Sequence, residues 1–175
     1  MKSRKGLITA VIICGVLTAV ICGVMNLYLI PAVESEAGGL RCFDMRFGYS
    51  FEDAAEFLRC LSAEGRGIYL SKQLPLDFVY PLSYGCFFTM LIYLLSGKKS
   101  PLCALPVLLA LLDYTENICV INMLKGESLS ASLVKISSAA TVCKTLLMYL
   151  CFAIIIALIL RKIILFAKRN KGADN

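Results

Sequence analysis

Apolar residues fall into four long runs, separated by short clusters of polar and charged positions. Residues 6–33 carry no charge at all. A membrane-spanning helix needs roughly 20 predominantly apolar residues, so this run predicts a first span over about 7–30. A second uncharged run, 78–97, follows Pro75 and Asp77 and predicts a span over about 76–97. The third opens at Pro101, a residue suited to a first helical turn, and covers about 101–124, with Pro106 placed to kink it. The fourth follows a Ser-rich stretch at 128–132 and covers about 131–161. The pattern predicts an all-α membrane protein, a four-transmembrane-helix bundle forming a single domain over residues 1–175.

Between the first two spans lies an outer loop, 34–75, with its own helical signals. "YSFEDAAEFLRCL" opens with Ser50, an N-cap candidate, and Asp53 follows three residues later. Phe51, Ala54, Ala55, Leu58 and Leu61 share one helical face, so a short amphipathic helix is expected over the bundle or in the lipid interface. A second helical stretch, "AEGRGIYLSKQL", is expected to run into the second span and places Arg66, Tyr69 and Gln73 on one face. The basic start at 2–5 resembles a signal peptide. However, the apolar run is too long, and "PAVESEAGG" has no clean small-x-small cleavage site, so a retained helix is expected.

Charge fixes the expected direction. Lys2, Arg4 and Lys5, then Lys98 and Lys99, then Arg161, Lys162, Lys168, Arg169 and Lys171 fall on one side if the spans alternate. The positive-inside rule makes that side the cytoplasm. The expectation is a multi-pass protein of the plasma membrane with both termini cytoplasmic. The net charge of +6 then reflects membrane flanks, not nucleic-acid binding. Hydrophobic residues make up 59% of the chain, above the roughly 45–50% of soluble domains. There is no His, which removes the commonest general base and metal ligand. Most of the nine cysteines sit in apolar runs and no C-x-x-C occurs, so neither a metal nor a cofactor is expected. Cys42 and Cys60 alone lie in the outer loop, where an extracytoplasmic location would permit a disulfide if the geometry allowed it.

The third span breaks its own apolar pattern. Asp113, Glu116 and Asn117 share one face of it. In the fourth span Lys144 extends a stripe with Ser137, Thr141 and Met148. Counting from the outer ends at 1.5 Å per residue puts Asp113 and Lys144 at similar depths, roughly 14 and roughly 16 Å. A charge at mid-membrane costs on the order of 3 kcal/mol, so these groups are expected to face inward and pair. One Lys against two carboxylates leaves a residual of −1, which protonation or Arg66 dipping in from the loop would offset. Asp77, Tyr80 and Tyr84 in the second span extend the polar track toward the outer mouth. The first span offers only a small-residue stripe of Gly15, Ala19, Cys22 and Asn26, which reads as a packing face.

"GYSFEDAAEFLRCLSAEGRGIYL", "LDFVYPLSYG", "LLDYTEN" and "AATVCKTLL" resemble, in this order, a family of small bacterial four-helix integral membrane proteins with a D-x-x-E-N motif in the third span. The resemblance covers roughly residues 47–147. It implies importance for Gly65, Arg66, Tyr69, Asp77, Tyr80, Pro81, Asp113, Glu116, Asn117 and Lys144, and no chemistry. The leading expectation is a binding protein or small carrier for a lipid-like or amphipathic ligand. Its outward-facing pocket would use Arg66, Tyr69, Asp77, Tyr80, Tyr84, Asp113, Glu116, Asn117 and Lys144, covered by the 50–72 segment. Two alternatives stand beside it. One is a membrane enzyme with carboxylate acid/base chemistry, although nothing marks a catalytic nucleophile. The other is a structural or accessory subunit whose buried charges only lock the bundle. Expected partners are membrane lipid, a lipid-like small molecule and a second copy or another membrane protein.

Overall fold

The computed structural model describes residues 2–97, 100–126 and 128–171. Lys98 and Lys99, two of the charges behind the expected orientation, lie outside them. Every regular element among the described residues is helical: α1 (Lys2–Val24), α2 (Ile30–Glu36), α3 (Phe51–Cys60), α4 (Ala63–Ile68), α5 (Leu74–Ser96), α6 (Leu105–Lys125) and α7 (Ala131–Lys171). Four continuous helical rods, Arg4–Glu36, Ala63–Ser96, Pro101–Lys125 and Ala131–Arg169, are long and apolar enough to cross a membrane. The chain is a multi-pass membrane protein built as a four-helix bundle.

Two prolines explain why the first two rods are longer than the apolar runs suggest. Pro31 and Pro75 do not start helices; helix already precedes both. A proline inside a helix has no N–H to donate and its ring crowds the carbonyl four residues back. Here each proline follows a widened π-helical turn, Met25–Leu29 before α2 and Tyr69–Gln73 before α5. In these turns Ile30 N–H reaches Met25 O and Leu74 N–H reaches Tyr69 O. The wider turn absorbs the clash and lets the helix continue. The two π turns also pack on each other. The first rod therefore runs to Glu36 and the second begins at Ala63, which shortens the connection to 37–62. The fourth rod also overshoots its expected end at 161 and runs to Lys171.

Polar residues that seemed to end the first span instead fasten this connection. Glu34 Oε1 accepts from Cys42 N–H at 3.0 Å. Glu36 accepts from the Ser62 hydroxyl, and Ser62 N–H donates to Glu36 O at 3.0 Å. Gly65 lies where α4 crosses the end of α2: a Cβ there would stand 2.5 Å from Glu36 Cβ. Only glycine permits that approach.

Ser50 caps α3 as its spacing predicts. Its hydroxyl accepts from Asp53 N–H at 3.1 Å, and Asp53 Oδ2 accepts from Ser50 N–H at 2.8 Å. Those bonds from Ser50 hold the Asp53 carboxyl below its ordinary range. The buried face is rotated from the expected one. Ala54, Phe57 and Leu61 face the bundle, whereas Phe51 is exposed. Phe57 wins the inward position because Phe43 and Tyr69 meet it, at centroid distances of 4.9 and 6.4 Å.

The disulfide between Cys42 and Cys60 does not form. Both thiols are free; Cys42 is buried and Cys60 exposed at the end of α3. Burial pushes the Cys42 thiol up, and the Asp44 and Glu34 carboxylates add to this, so it stays protonated.

The long helices pair in sequence: α1 along α5, α5 along α6, and α6 along α7. One apolar core gathers around Val33, Phe43, Phe57 and Tyr69. A second gathers around Tyr84, Phe88, Ile92, Leu109 and Cys151. The intramembrane polar residues sit between them.

Candidate functional site

Pro81 begins the construction of the site. It sits inside α5 and leaves the carbonyl of Asp77 without its ordinary N–H donor. Asn117, buried on α6, fills that place: its Nδ2 donates to Asp77 O at 2.9 Å. One turn-mate away, the Tyr114 hydroxyl donates to Phe78 O at 3.1 Å. A proline in one span and an amide in the next thus fix the register of α5 against α6.

That register brings the charged residues together. Lys144 Nζ on α7 lies 2.8 Å from Asp113 Oδ1 and 2.5 Å from Glu116 Oε2, both on α6. Both expected pairings therefore occur at once. The contact with Asp113 is a hydrogen bond; that with Glu116 is an ion pair without hydrogen-bond geometry, which leaves Oε2 otherwise unpartnered. Tyr84 OH donates to Asp113 Oδ2 at 2.8 Å. Thr141 Oγ1 lies 2.6 Å from Glu116 Oε1 and 3.0 Å from Ser137 O, sharing its proton between them. Glu116 and Thr141 are fully buried.

A further acid joins this cluster from an unexpected place. Asp44 belongs to a 3-10 turn, Phe43–Met45, in the connection between α2 and α3. Its Oδ1 stands 3.5 Å from Lys144 Nζ, and its Oδ2 accepts from Tyr69 OH at 3.1 Å. Tyr69 thus reaches the site through Asp44. Arg66 does not reach it. Its guanidinium donates to the carbonyl of Leu124, closing the C-terminal end of α6, and to Leu58 O at 3.3 Å. The turn carrying Asp44 thus lies against the cluster, with Tyr69 of the 50–72 segment bonded to it.

The carboxylate oxygens of Asp44, Asp113 and Glu116 lie within 4.8 Å of one another, a spacing suited to a metal ion. Lys144 supplies the positive charge there, with its ammonium within 3.5 Å of all three.

Beside the cluster is a cavity of about 230 Å³. Its charged lining residues are Asp44, Asp77, Asp113 and Lys144; its apolar ones include Met25, Ile30, Met45 and Met148. Tyr80, half-buried, lines it next to Tyr84, whose ring is 5.0 Å away. Asn26 and Tyr149, from the first and fourth rods, form an exposed rim, with Tyr149 65% exposed. Because α1 packs chiefly on α5, the gap between the first and fourth rods is where the cavity meets the outside of the bundle. Asp77 is only 3% exposed and its Oδ2 has no hydrogen-bond partner. Gln73 and Asn117 Oδ1 are likewise buried without partners.

Sequence reasoning missed Asp44, Thr141 as a ligand of Glu116, and Tyr49, whose hydroxyl bonds Ser137 Oγ at 2.6 Å. Thr141 was on the stripe with Lys144, so its role was within reach of helical spacing. Set against protein-family models, curated proteins and solved structures, the chain gives no match.

Proposed function

We propose that the protein binds, and as a small carrier hands on, a lipid-like or amphipathic molecule whose polar head enters the cavity beside Lys144. The observation that carries this reading is the cavity's mixed lining: carboxylates and an ammonium together with thioethers and aliphatic carbons. At about 230 Å³ it is smaller than the usual 300–1,000 Å³ of a drug-sized site. It suits a head group and its first carbons, with the tail leaving past Tyr149 into the hydrocarbon. A sealed structural lock would have no need of an exposed rim. The test is lipid extraction and mass spectrometry on protein purified in mild detergent. Thr145→Trp, a substitution on the cavity wall, should fold normally and lose the co-purifying molecule. Equal bound content in both proteins would reduce the cluster to a lock for the bundle.

We further propose the plasma membrane, with both termini cytoplasmic and the Asp44 turn outside. The Lys and Arg flanks support this. Exposed Cys60 is a natural reporter. In intact cells a membrane-impermeant maleimide should label it, and Cys60→Ser should abolish that signal. A thiol engineered at Ser100 should react only after permeabilisation. The reverse pattern would turn the protein over.

A further inference from the structure

The cavity is short of positive charge. Asp44, Asp77, Asp113 and Glu116 converge on it or on its lining, and among the described residues Lys144 is the one ammonium in contact with them. The nearby guanidinium groups are engaged elsewhere. Arg46 lies 4.0 Å from Asp53 and over the Phe57 ring at 5.9 Å. Arg66 is held by backbone carbonyls. Lys144 already contacts Asp44, Asp113 and Glu116, so three of the four acids have a cation in contact, one charge shared among them.

Asp77 does not. It is 97% removed from solvent by its 3% exposure, its Oδ2 has no partner, and it lines the same cavity. A buried carboxyl group without a partner keeps its proton unless a cation arrives to hold its charge, and an ammonium is such a cation. The rest of the lining suits a cation with an apolar stem. The rings of Tyr80 and Tyr149 offer negative π faces, and Met25, Met45 and Met148 offer polarisable thioethers. An anionic head would meet the excess of acid and be repelled.

We propose that the cavity takes the ammonium head of an amphipathic amine, seated on Asp77, with its alkyl stem leaving between the first and fourth rods. This rests on the reading of the cavity as an amphiphile site and adds the sign and chemistry of the head group. A metal ion fits less well, because the Lys144 ammonium already stands among the three carboxylates whose spacing would suit it.

The test compares three twelve-carbon probes at pH 7: dodecylamine, dodecanol and dodecanoate. Binding is measured by calorimetry to the full chain in phosphatidylcholine nanodiscs, with empty nanodiscs subtracted. Dodecylamine should bind at least tenfold tighter than dodecanol, and dodecanoate weakest. Asp77→Asn should remove the preference for the amine and keep dodecanol binding. Tyr149→Leu, at an exposed rim position that folding does not depend on, should weaken the amine about threefold relative to the alcohol, the size of an exposed cation–π contact. Dodecanol or dodecanoate binding as tightly as the amine, in a manner lost in Thr145→Trp, overturns the amine and leaves the amphiphile site standing. An unchanged preference in Asp77→Asn overturns the seat on Asp77. Absence of binding by all three probes overturns the amphiphile site as well.

Discussion

Lys144→Met should destabilise the bundle by roughly 3–5 kcal/mol, the range for removing one partner of a buried ion pair. The substitution keeps the stem's length and apolar packing and deletes only the ammonium. Three carboxylates within 3.5 Å of that ammonium then lose their counter-charge together. The loss should be partly reversed by neutralising the acids: Lys144→Met combined with Asp113→Asn and Glu116→Gln should be more stable than Lys144→Met alone. Tyr84 OH and Thr141 Oγ1 keep an oxygen acceptor in those variants. Unfolding free energies in mixed micelles, arranged as a mutant cycle, measure the coupling. Strict additivity would mean that the contacts seen at 2.8 and 2.5 Å carry no interaction energy.

How far this network was legible depends on how each residue is placed. Asp113, Glu116 and Lys144 were legible because a charge inside an apolar run must find an opposite charge, and helical spacing fixes which face it uses. Tyr84 followed from the same spacing. Asp44 was not legible. It reaches Lys144 from a hundred residues away along the chain. Its position depends on Phe43 docking against Tyr49 and Phe57, each at 4.9 Å. No local period encodes such a contact. Arg66 was misplaced for a different reason. Its charge invited a carboxylate partner, but the open carbonyls at the end of a helix satisfy a guanidinium equally well. The first rod outruns its expected end near residue 30 because the π-helical turn that carries the helix past Pro31 is invisible to a 3.6-residue pattern, whereas the helical stretch over 63–74 runs into the second span as its spacing suggested. Gly65 and Arg66 stood out in the family-like pattern, yet their contacts here are structural: one allows α4 to pass α2, the other closes α6.

Asn117→Leu should cost about 1–3 kcal/mol through the penalty of a buried polar group left unpaired. The group in question is the carbonyl of Asp77, not the Asn side chain itself. Pro81 cannot supply the N–H that a helix would normally direct there, and Asn117 Nδ2 replaces it at 2.9 Å. Leu keeps the branching of Asn at Cγ but is the larger side chain, so an overpacking cost adds to that of the missing donor and recurs in any background that keeps the same neighbours. This account makes an unusual demand on a second substitution. Pro81→Ala restores a backbone N–H to the helix and so provides Asp77 O with an ordinary donor. In the Pro81→Ala background, Asn117→Leu should therefore cost less than it does in the native chain by about 1–3 kcal/mol, the penalty of the unpaired carbonyl. Two buried residues from different spans would then compensate one another through a carbonyl that neither owns. An equal cost of Asn117→Leu in both backgrounds would show that the amide serves α5 in some other way. The orphaned Oδ1 of Asn117, which has no partner in the structure, would then be the place to look.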